Sequence, residues 1–235
     1  MRNRFYAGLS RGGCFSLAAL FVLSAAPSAS SGTGESSLTD LIRKVQVFYD
    51  GTTDWVADFN QTTRIAGFET EITARGKLYI KKPGKMRWDY LEPNRNQVVV
   101  NEGKLWIHTP EQQQVIVSPF SSVTDSQLPL HFLSGVGRLD REFTPAWALS
   151  QHPGPETPPA VALTPRVRDS GLSRLEITVD PVENFITRLV LIEDNGNRSR
   201  LDFTNVNTNT GLKDRFFILT PPKGTVVIEA PGVKP

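Results

Sequence analysis

The first pattern in the chain is a helical spacing of apolar residues that follows a polar N-terminal stretch. From Leu38 to Tyr49, apolar residues recur at intervals of three and four, which predicts one amphipathic helix of about three turns. Ser37 stands at the expected N-cap position, and Gly51 stands just beyond the expected end of the helix. The small polar residues 31–37 predict a flexible leader.

From Trp55 onward, apolar residues recur at every second position. This alternation predicts strands that have one apolar face and one solvent-exposed face. Short turn segments separate the strands and leave no room for crossover helices, so the sheet is predicted to be antiparallel. Roughly ten strands are expected, around residues 55–60, 74–81, 85–90, 98–100, 105–108, 114–117, 174–179, 185–193 and 200–204.

The middle of the chain departs from this alternation. Apolar residues within 125–137 predict a short central helical segment. Residues 151–165 include five prolines and predict a loop. Strands of the same one-sided type lie on both sides of this loop, and neither set alone closes a core. We therefore expect a single domain over residues 30–235.

The predicted strands present more apolar surface than one long helix and one short segment can cover, and a packed sandwich would need a second sheet of matching size. The expected fold class is therefore mainly β with an α lid. It is a single antiparallel, strongly curved, unclosed β-barrel that the N-terminal helix and the central segment cover. The interior of such a barrel either holds a ligand or is filled with side chains, and the alternation is compatible with both.

Residues 1–29 have the features of a cleaved signal peptide. Three arginines accompany an apolar run at residues 14–26, and small residues then offer cleavage sites after Ser28 or Ala29. An uncleaved membrane anchor is the alternative, but the run is shorter than the ~20 residues that a spanning helix needs. Cleavage leaves 23 basic and 24 acidic residues, a formal charge of −1, so a nucleic-acid partner has no support.

Cys14, the only cysteine, lies within this predicted signal peptide. Without it the chain cannot form a disulfide, so the core must suffice alone. A lipidated cysteine is preceded by an apolar run, whereas here Arg11, Gly12 and Gly13 precede Cys14 and the apolar run follows it. The protein is therefore not expected to be a lipoprotein.

Candidate catalytic residues do not form a constellation. The three histidines, His108, His131 and His152, have no spacing typical of a metal pair, and His108 is expected to face water at the end of its strand. A G-x-S-x-G sequence at residues 8–12 falls within the predicted signal peptide. The sequence therefore predicts no enzyme, no metal site and no cofactor.

A group of cations surrounds the predicted turn at Pro83 and Gly84. One interpretation is a sheet edge that lysine and proline keep soluble. Lys82, however, has the same parity as Leu78 and Ile80, so it continues the apolar face at the rim of the barrel. An ammonium group at this place can donate to carbonyl groups at the end of a covering helix or to a polar ligand head.

Residues 76–90 (GKLYIKKPGKMRWDY) resemble the signature G-x-L-x-[VI]-x-R-P-G-x-F-R-W-x-Y of LolA, the family of periplasmic carriers of outer-membrane lipoproteins. Segments 55–61 (WVADFNQ), 97–106 (QVVVNEGKLW) and 216–224 (FFILTPPKG) also resemble that family. Two positions depart from the signature, because Lys82 replaces an arginine and Met86 replaces a phenylalanine. Lysine cannot make the forked contact of arginine, so weaker latching of the lid is expected.

The resemblance implies a periplasmic protein that carries acylated lipoproteins. Its further partners would be an inner-membrane ABC transporter, which hydrolyses the ATP, and an outer-membrane receptor; no cofactor is needed, and a monomer is expected. Lys82 is the candidate lid latch. Strand and helix parity places the following side chains in the acyl-binding interior: Leu41, Val45, Phe48, Phe59, Leu78, Ile80, Met86, Trp88, Val98, Val100, Leu105 and Phe203, with Ala57, Ile107, Leu175, Ile177 and Leu201 on the same face.

Three alternatives accompany this interpretation. The outer-membrane receptor LolB shares the fold but is itself a lipoprotein, and the missing lipobox argues against it. The periplasmic stress-sensing regulator RseB has an additional C-terminal domain, for which we expect no room in a chain that stops at Pro235. A periplasmic lipid-modifying enzyme would need a nucleophile or a metal set that the sequence does not offer.

Overall fold

The computed structural model describes residues 33–120, 137–148, 158–167 and 171–230. These residues form helices α1 (Thr33–Gly51) and α2 (Leu139–Glu142), and the 3-10 helices η1 (Pro110–Gln112) and η2 (Asp214–Phe217). None of the helices in these ranges is long and apolar enough to cross a membrane. The strands are β1 (Asp54–Arg64), β2 (Glu71–Lys81), β3 (Lys85–Glu92), β4 (Gln97–Asn101), β5 (Lys104–Thr109), β6 (Gln114–Pro119), β7 (Phe143–Trp147), β8 (Ala160–Pro165), β9 (Leu172–Val179), β10 (Ile186–Glu193), β11 (Arg198–Thr208) and β12 (Val226–Glu229).

All twelve strands belong to one sheet, in the order β12-β6-β5-β4-β3-β2-β1-β11-β10-β9-β8-β7. The order begins at β12 and ends at β7 without closing on itself, which confirms the predicted unclosed barrel. The long central strand β1 pairs with β2 on one side and with β11 on the other. The prediction of a wholly antiparallel sheet is wrong at one edge, because β12 pairs with β6 in parallel. β12 does not follow β6 through a hairpin, so nothing forces the two strands to run in opposite directions.

Helix α1 is longer than the sequence pattern indicates. It begins at Thr33, so the prediction of a flexible leader up to residue 37 and of an N-cap at Ser37 is wrong. Once the apolar stripe from Leu38 onward has fixed a helix against the sheet, each added residue contributes one hydrogen bond without a new nucleation cost. The polar residues before the stripe therefore continue the helix although they add nothing to its amphipathic pattern.

Three strands were absent from the sequence-based prediction: β7, β8 and β12. β8 lies inside the segment 151–165 that was predicted to be a loop. Its residues 160–163 are all buried, so they form an apolar run without alternation, as in a strand that is covered on both faces. The predicted signal peptide and nearly all of the predicted central helical segment lie outside the described residues.

The outer face of β4–β6 was expected to be solvent-exposed, but it is partly buried. Val99, Val115 and Val117 are buried on this face. The short helix η2 contacts β3 and β4, and its Phe217 is fully buried. A segment near the C-terminus thus covers part of the sheet from outside, which the alternation within each strand could not reveal.

Asp54, at the start of β1, fixes the beginning of this segment. Its carboxylate accepts hydrogen bonds from the main chain and hydroxyl of Thr210, both at 2.7 Å, and from the main chain of Gly211 at 3.1 Å. Burial alone would raise the pKa of Asp54, but these hydrogen bonds and one from Leu212 lower it below the ordinary value. The ionised carboxylate therefore holds the loop after β11 against β1.

Candidate functional site

One apolar interior is shared by α1 and by strands from both arms of the sheet. Residues of β4 and β8, which lie in opposite arms of the strand order, belong to the same buried cluster. Ile80 and Trp88 point inward, at 0% and 6% exposure, which confirms the predicted register. Every residue predicted to face the interior belongs to this cluster or packs against it: Leu41, Val45, Phe48, Ala57, Phe59, Leu78, Ile80, Met86, Trp88, Val98, Val100, Leu105, Ile107, Leu175, Ile177, Leu201 and Phe203.

Four of these residues, Leu41, Phe48, Val98 and Ile107, lie at the margin and are only partly buried. For α1, the face with the deepest burial is turned slightly from the predicted one. The stripe that enters the interior has spacings of four, three and four residues, the geometry of one helix face. It consists of Leu38, Ile42, Val45 and Tyr49.

Three aromatic rings meet on the inner face of β1 and β3. The ring centroid of Phe59 lies 4.9 Å from that of Trp88 and 5.1 Å from that of Tyr90, in edge-to-face arrangements. Gly76 of β2 makes room for this group, because a Cβ atom there would lie 2.1 Å from the Asp89 carbonyl oxygen and 2.8 Å from the Phe59 ring. The first residue of the signature segment is therefore a glycine for a steric reason.

Beyond the aromatic group the inner face becomes polar. The hydroxyl group of Tyr90 donates to Oε1 of Gln61 at 3.2 Å. Next to this hydrogen bond lies a recess of about 210 Å³. Its lining combines apolar residues with amides and two hydroxyl groups: Gln61, Thr63, Ile72, Ala74, Tyr90, Pro93, Asn94 and Asn96.

Lys82 connects the rim of the sheet to the end of α1. Its ammonium group donates a hydrogen bond to the main-chain carbonyl oxygen of Tyr49, and its main-chain N–H donates to Thr53 at 2.8 Å. Burial lowers the pKa of Lys82, while the negative charge of Asp50 acts in the opposite direction. The hydroxyl oxygen of Tyr49 accepts a hydrogen bond from the main chain of Ile186 at 3.2 Å, and burial strongly raises its pKa.

A second connection joins α1 to α2. Oε1 of Gln46 accepts a hydrogen bond from the main-chain N–H of Leu139 at 3.2 Å, and its Nε2 donates to Asp50 at 2.8 Å. Arg138 forms a longer ion pair with Asp50, at 3.8 Å. The buried face of α1 thus carries one buried amide, Gln46, which is satisfied at both ends.

The remaining cations of the signature turn point outward and bind the C-terminal segment. Nζ of Lys81 lies 2.5 Å from Asp214 and donates to the Leu212 carbonyl at 2.7 Å. Lys85 also faces Asp214, at 3.8 Å. The interpretation of this turn as a sheet edge is wrong, because β2 and β3 both have a strand on either side.

Catalytic chemistry has little support in the described part of the chain. No group of three or more His, Cys, Asp or Glu residues there could hold a metal ion. The expectation that His108 faces water is wrong: it is buried, with Nδ1 3.3 Å from Oε1 of Gln97. His131 and His152 lie outside the described residues.

Comparison with known proteins agrees with this architecture. The family described as "Outer membrane lipoprotein carrier protein LolA" matches residues 50–220, which is well over half of the chain. The chain belongs to the LolA family. The resemblance seen in residues 76–90 is thereby confirmed over most of the sequence.

Individual LolA relatives match over similar lengths. An "Outer-membrane lipoprotein carrier protein" of Dechloromonas aromatica is 30% identical over 189 residues, covering 76% of this chain and 88% of the relative. Proteins of the same description from Chromobacterium violaceum and Leptothrix cholodnii are each 28% identical. They cover 89% and 92% of this chain, and 97% and 95% of their own lengths.

Sequence reasoning missed several residues that organise the site in this LolA-family chain. In the sequence Tyr49 is only one member of the helical apolar pattern and Gln46 is not part of it, although each makes a buried hydrogen bond to a distant element. Trp55 was placed on a strand face, yet its indole nitrogen is buried without a hydrogen-bond partner among the described residues. A polar atom on an otherwise apolar face was the only signal that could have identified Gln46 and Trp55.

Proposed function

We propose that this LolA-family protein is a periplasmic carrier that shelters the acyl chains of lipoproteins and delivers them to the outer membrane. One observation carries the proposal: a single apolar interior is covered by α1, and the end of α1 is bonded to the rim by Lys82. The description of the relatives as outer-membrane lipoprotein carrier proteins supports the class of cargo.

For an acyl chain to enter the interior, α1 must move away from the strands. Val45 and Ile42 are 0% and 4% exposed, so the side chains of α1 occupy the space beside the strands in this conformation. An acyl chain gains its hydrophobic free energy only if it replaces these contacts with its own. A carrier also has to release its cargo, so its closed and open forms must lie within a few kcal/mol of each other.

The partners follow from the same proposal. Cargo would be released to the carrier by an inner-membrane ABC transporter and accepted by an outer-membrane receptor. Energy from ATP enters at the transporter, so the carrier itself needs no cofactor. The predicted signal peptide supplies the route to the periplasm, and the carrier acts as a monomer.

Site-specific crosslinking in cells tests the cargo. A photoreactive residue at Met86, which is 1% exposed in the interior, should form adducts with acylated lipoproteins. The same residue at the exposed Thr204 of β11 is the matched control and should give none. Equal labelling from both positions, or adducts with unacylated proteins alone, would contradict the proposal.

Two further measurements separate a carrier from an enzyme. Native mass spectrometry of the protein from the periplasm should show bound diacyl or triacyl species, and added lipid should remain chemically unchanged. Depletion of the protein should leave outer-membrane lipoproteins at the inner membrane. Normal sorting after depletion, in a strain without a second carrier, would exclude the proposed role.

A further inference from the structure

Trp55 carries a hydrogen-bond donor that no group in the described part of the chain accepts. The side chain is 3% exposed and belongs to the interior cluster. Its ring lies edge-to-face against Phe203, with 5.8 Å between centroids, and against Tyr49, at 6.4 Å. Within the described residues, Nε1 has no hydrogen-bond partner. An indole N–H can only donate, and burying it without an acceptor costs free energy.

The position of this donor matches the boundary between a polar and an apolar part of a ligand. Trp55 is the second residue of β1 and pairs with Ile80, close to the point where β2 ends and Lys82 follows. Tyr49, its ring neighbour, provides the carbonyl oxygen that Lys82 binds. Further along the inner face of β1 come Ala57 and Phe59, which are both buried and apolar. The indole of Trp55 therefore stands near the rim, before the apolar side chains of Ala57 and Phe59.

We propose that the Trp55 N–H donates a hydrogen bond to the carbonyl oxygen of the ester or amide group that joins an acyl chain to its glycerol or amino group. Every acyl chain ends in an ester or amide carbonyl, which accepts hydrogen bonds. An ester, unlike an amide, has no N–H group that would need an acceptor of its own. With the carbonyl at Trp55, the hydrocarbon extends along Ala57 and Phe59 toward Trp88. The inference rests on the proposed function and adds to it the group that the site recognises and the direction in which the chain enters.

The free-energy cost of leaving this N–H unpaired should make a preference for an ester over an ether measurable. Within the described residues the N–H is buried and unpaired, and a ligand carbonyl relieves this state. A dialkyl ether has a methylene group where the ester has its carbonyl, so it offers no acceptor at that position. A neutral hydrogen bond changes affinity by about three- to tenfold. The wild type should therefore bind a diacylglycerol ester more tightly than the dialkyl ether of equal chain length by about this factor.

Affinities of both probes for three proteins test the proposal. Trp55→Phe keeps one aromatic ring and removes the indole N–H together with the bulk of the second ring, so it should bind ester and ether equally. Trp106→Phe makes the same change on the opposite face of the sheet, since Trp106 pairs with Val99 and Val117, and should keep the preference of the wild type. A wild type that does not distinguish ester from ether, or a Trp55→Phe protein that still does, would overturn the inference.

The outcomes also separate this inference from the proposed function. Equal binding of both probes by the wild type leaves the carrier function standing and removes only the role of Trp55. Failure of the wild type to bind either probe removes both. Trp55→Phe eliminates a buried donor but also leaves a cavity where the second ring stood, so its folding is checked by denaturant titration before the affinities are compared. If that variant does not fold, the comparison of ester and ether with the wild type still decides.

Discussion

The ammonium group of Lys82 donates a hydrogen bond to the main-chain carbonyl oxygen of Tyr49, in the last turn of α1. Carbonyl groups at this end of a helix have no partner within the helix, and a cation there is favoured by the helix dipole. The sheet supplies that cation directly after β2. The bond thus joins the lid helix to the rim through one side chain that can be changed without altering the core.

Replacing Lys82 tests this bond. Lys82→Leu should remove up to about 1.5 to 3 kcal/mol from the closed form, less to the extent that water reaches the ammonium. Amide hydrogen exchange in α1 should become faster, and hand-over to the receptor should suffer more than loading. Lys82→Arg should preserve both. Lys77→Leu on the outer face of β2, which breaks the ion pair with Asp58, is the control. Wild-type exchange and transfer in Lys82→Leu would show that the lysine does not hold the lid.

Gly76 should be intolerant of any side chain. In Gly76→Ala the new methyl group would meet the main chain at Asp89 and the Phe59 ring, and the main chain of β3 cannot move without disturbing the sheet. We expect a loss of about 1 to 3 kcal/mol in the free energy of unfolding, measured by denaturant titration. Gly51→Ala, where the methyl group would meet nothing within 4 Å, should unfold like the wild type. Equal stability of the two variants would be inconsistent with the packing at Phe59.

The cover on the outer face can be tested at η2. Phe217 is completely buried, whereas the neighbouring Ile218 is 59% exposed. Phe217→Ala should lower the free energy of unfolding by about 3 to 5 kcal/mol, and Ile218→Ala should change it by no more than about 0.5 kcal/mol. The measurement is again equilibrium unfolding in denaturant. Similar small effects at both positions would mean that η2 does not stabilise the outer face of β3 and β4.

Asp54 should make stability depend on pH in the acid range. Its pKa is lower in the folded protein than in the unfolded chain, so its contribution is complete above about pH 4 and is lost as the pH falls through the folded pKa. Asp54→Asn should therefore cost about 1 to 3 kcal/mol at pH 7. The difference from the wild type should shrink as the pH is lowered below about 4.

The matched control for Asp54 is Asp58, four residues further along β1. Its pKa is also lowered, by hydrogen bonds from Asn205 and Lys77, but the pair lies at the surface, where solvent screens it. Asp58→Asn should thus have a small effect at every pH. A difference between wild type and Asp54→Asn that stays constant from pH 7 to pH 3 would show that the charge of Asp54 does not stabilise the fold.

The side chains that face the interior could be predicted because the alternation within each strand shows which residues share a face. Leu78 and Ile80 alternate with cations, and Met86 and Trp88 alternate with polar residues, so a local pattern was enough to place them in one interior. Lys82 could be placed at the rim by the same count. The sequence indicated that Lys82 could donate to a carbonyl group at the end of a covering helix, but it did not show that this carbonyl belongs to Tyr49.

What could not be predicted depends on segments that are distant in the chain. Val99 is buried on the outside of the sheet, where η2 contacts β4, and nothing within β4 encodes that cover. His108 of β5 is buried on the same face. β8 was missed because an apolar strand that is buried on both faces has no alternation, and the prolines around it indicated a loop. Asp54 acts through Thr210 and Gly211, a pairing with no signal in either segment.

The parallel pairing of β12 with β6 also affects how the protein acquires its fold. The two strands lie far apart in the chain, and contacts between distant segments form slowly. During N-to-C synthesis, Val99 of β4 stays uncovered until η2 has emerged, and β6 stays unpaired on one side until β12 has emerged; transiently exposed apolar surface and unpaired strand edges favour aggregation. The edge at β6 and the outer face of β4 are therefore completed last, by the C-terminal segments of the chain.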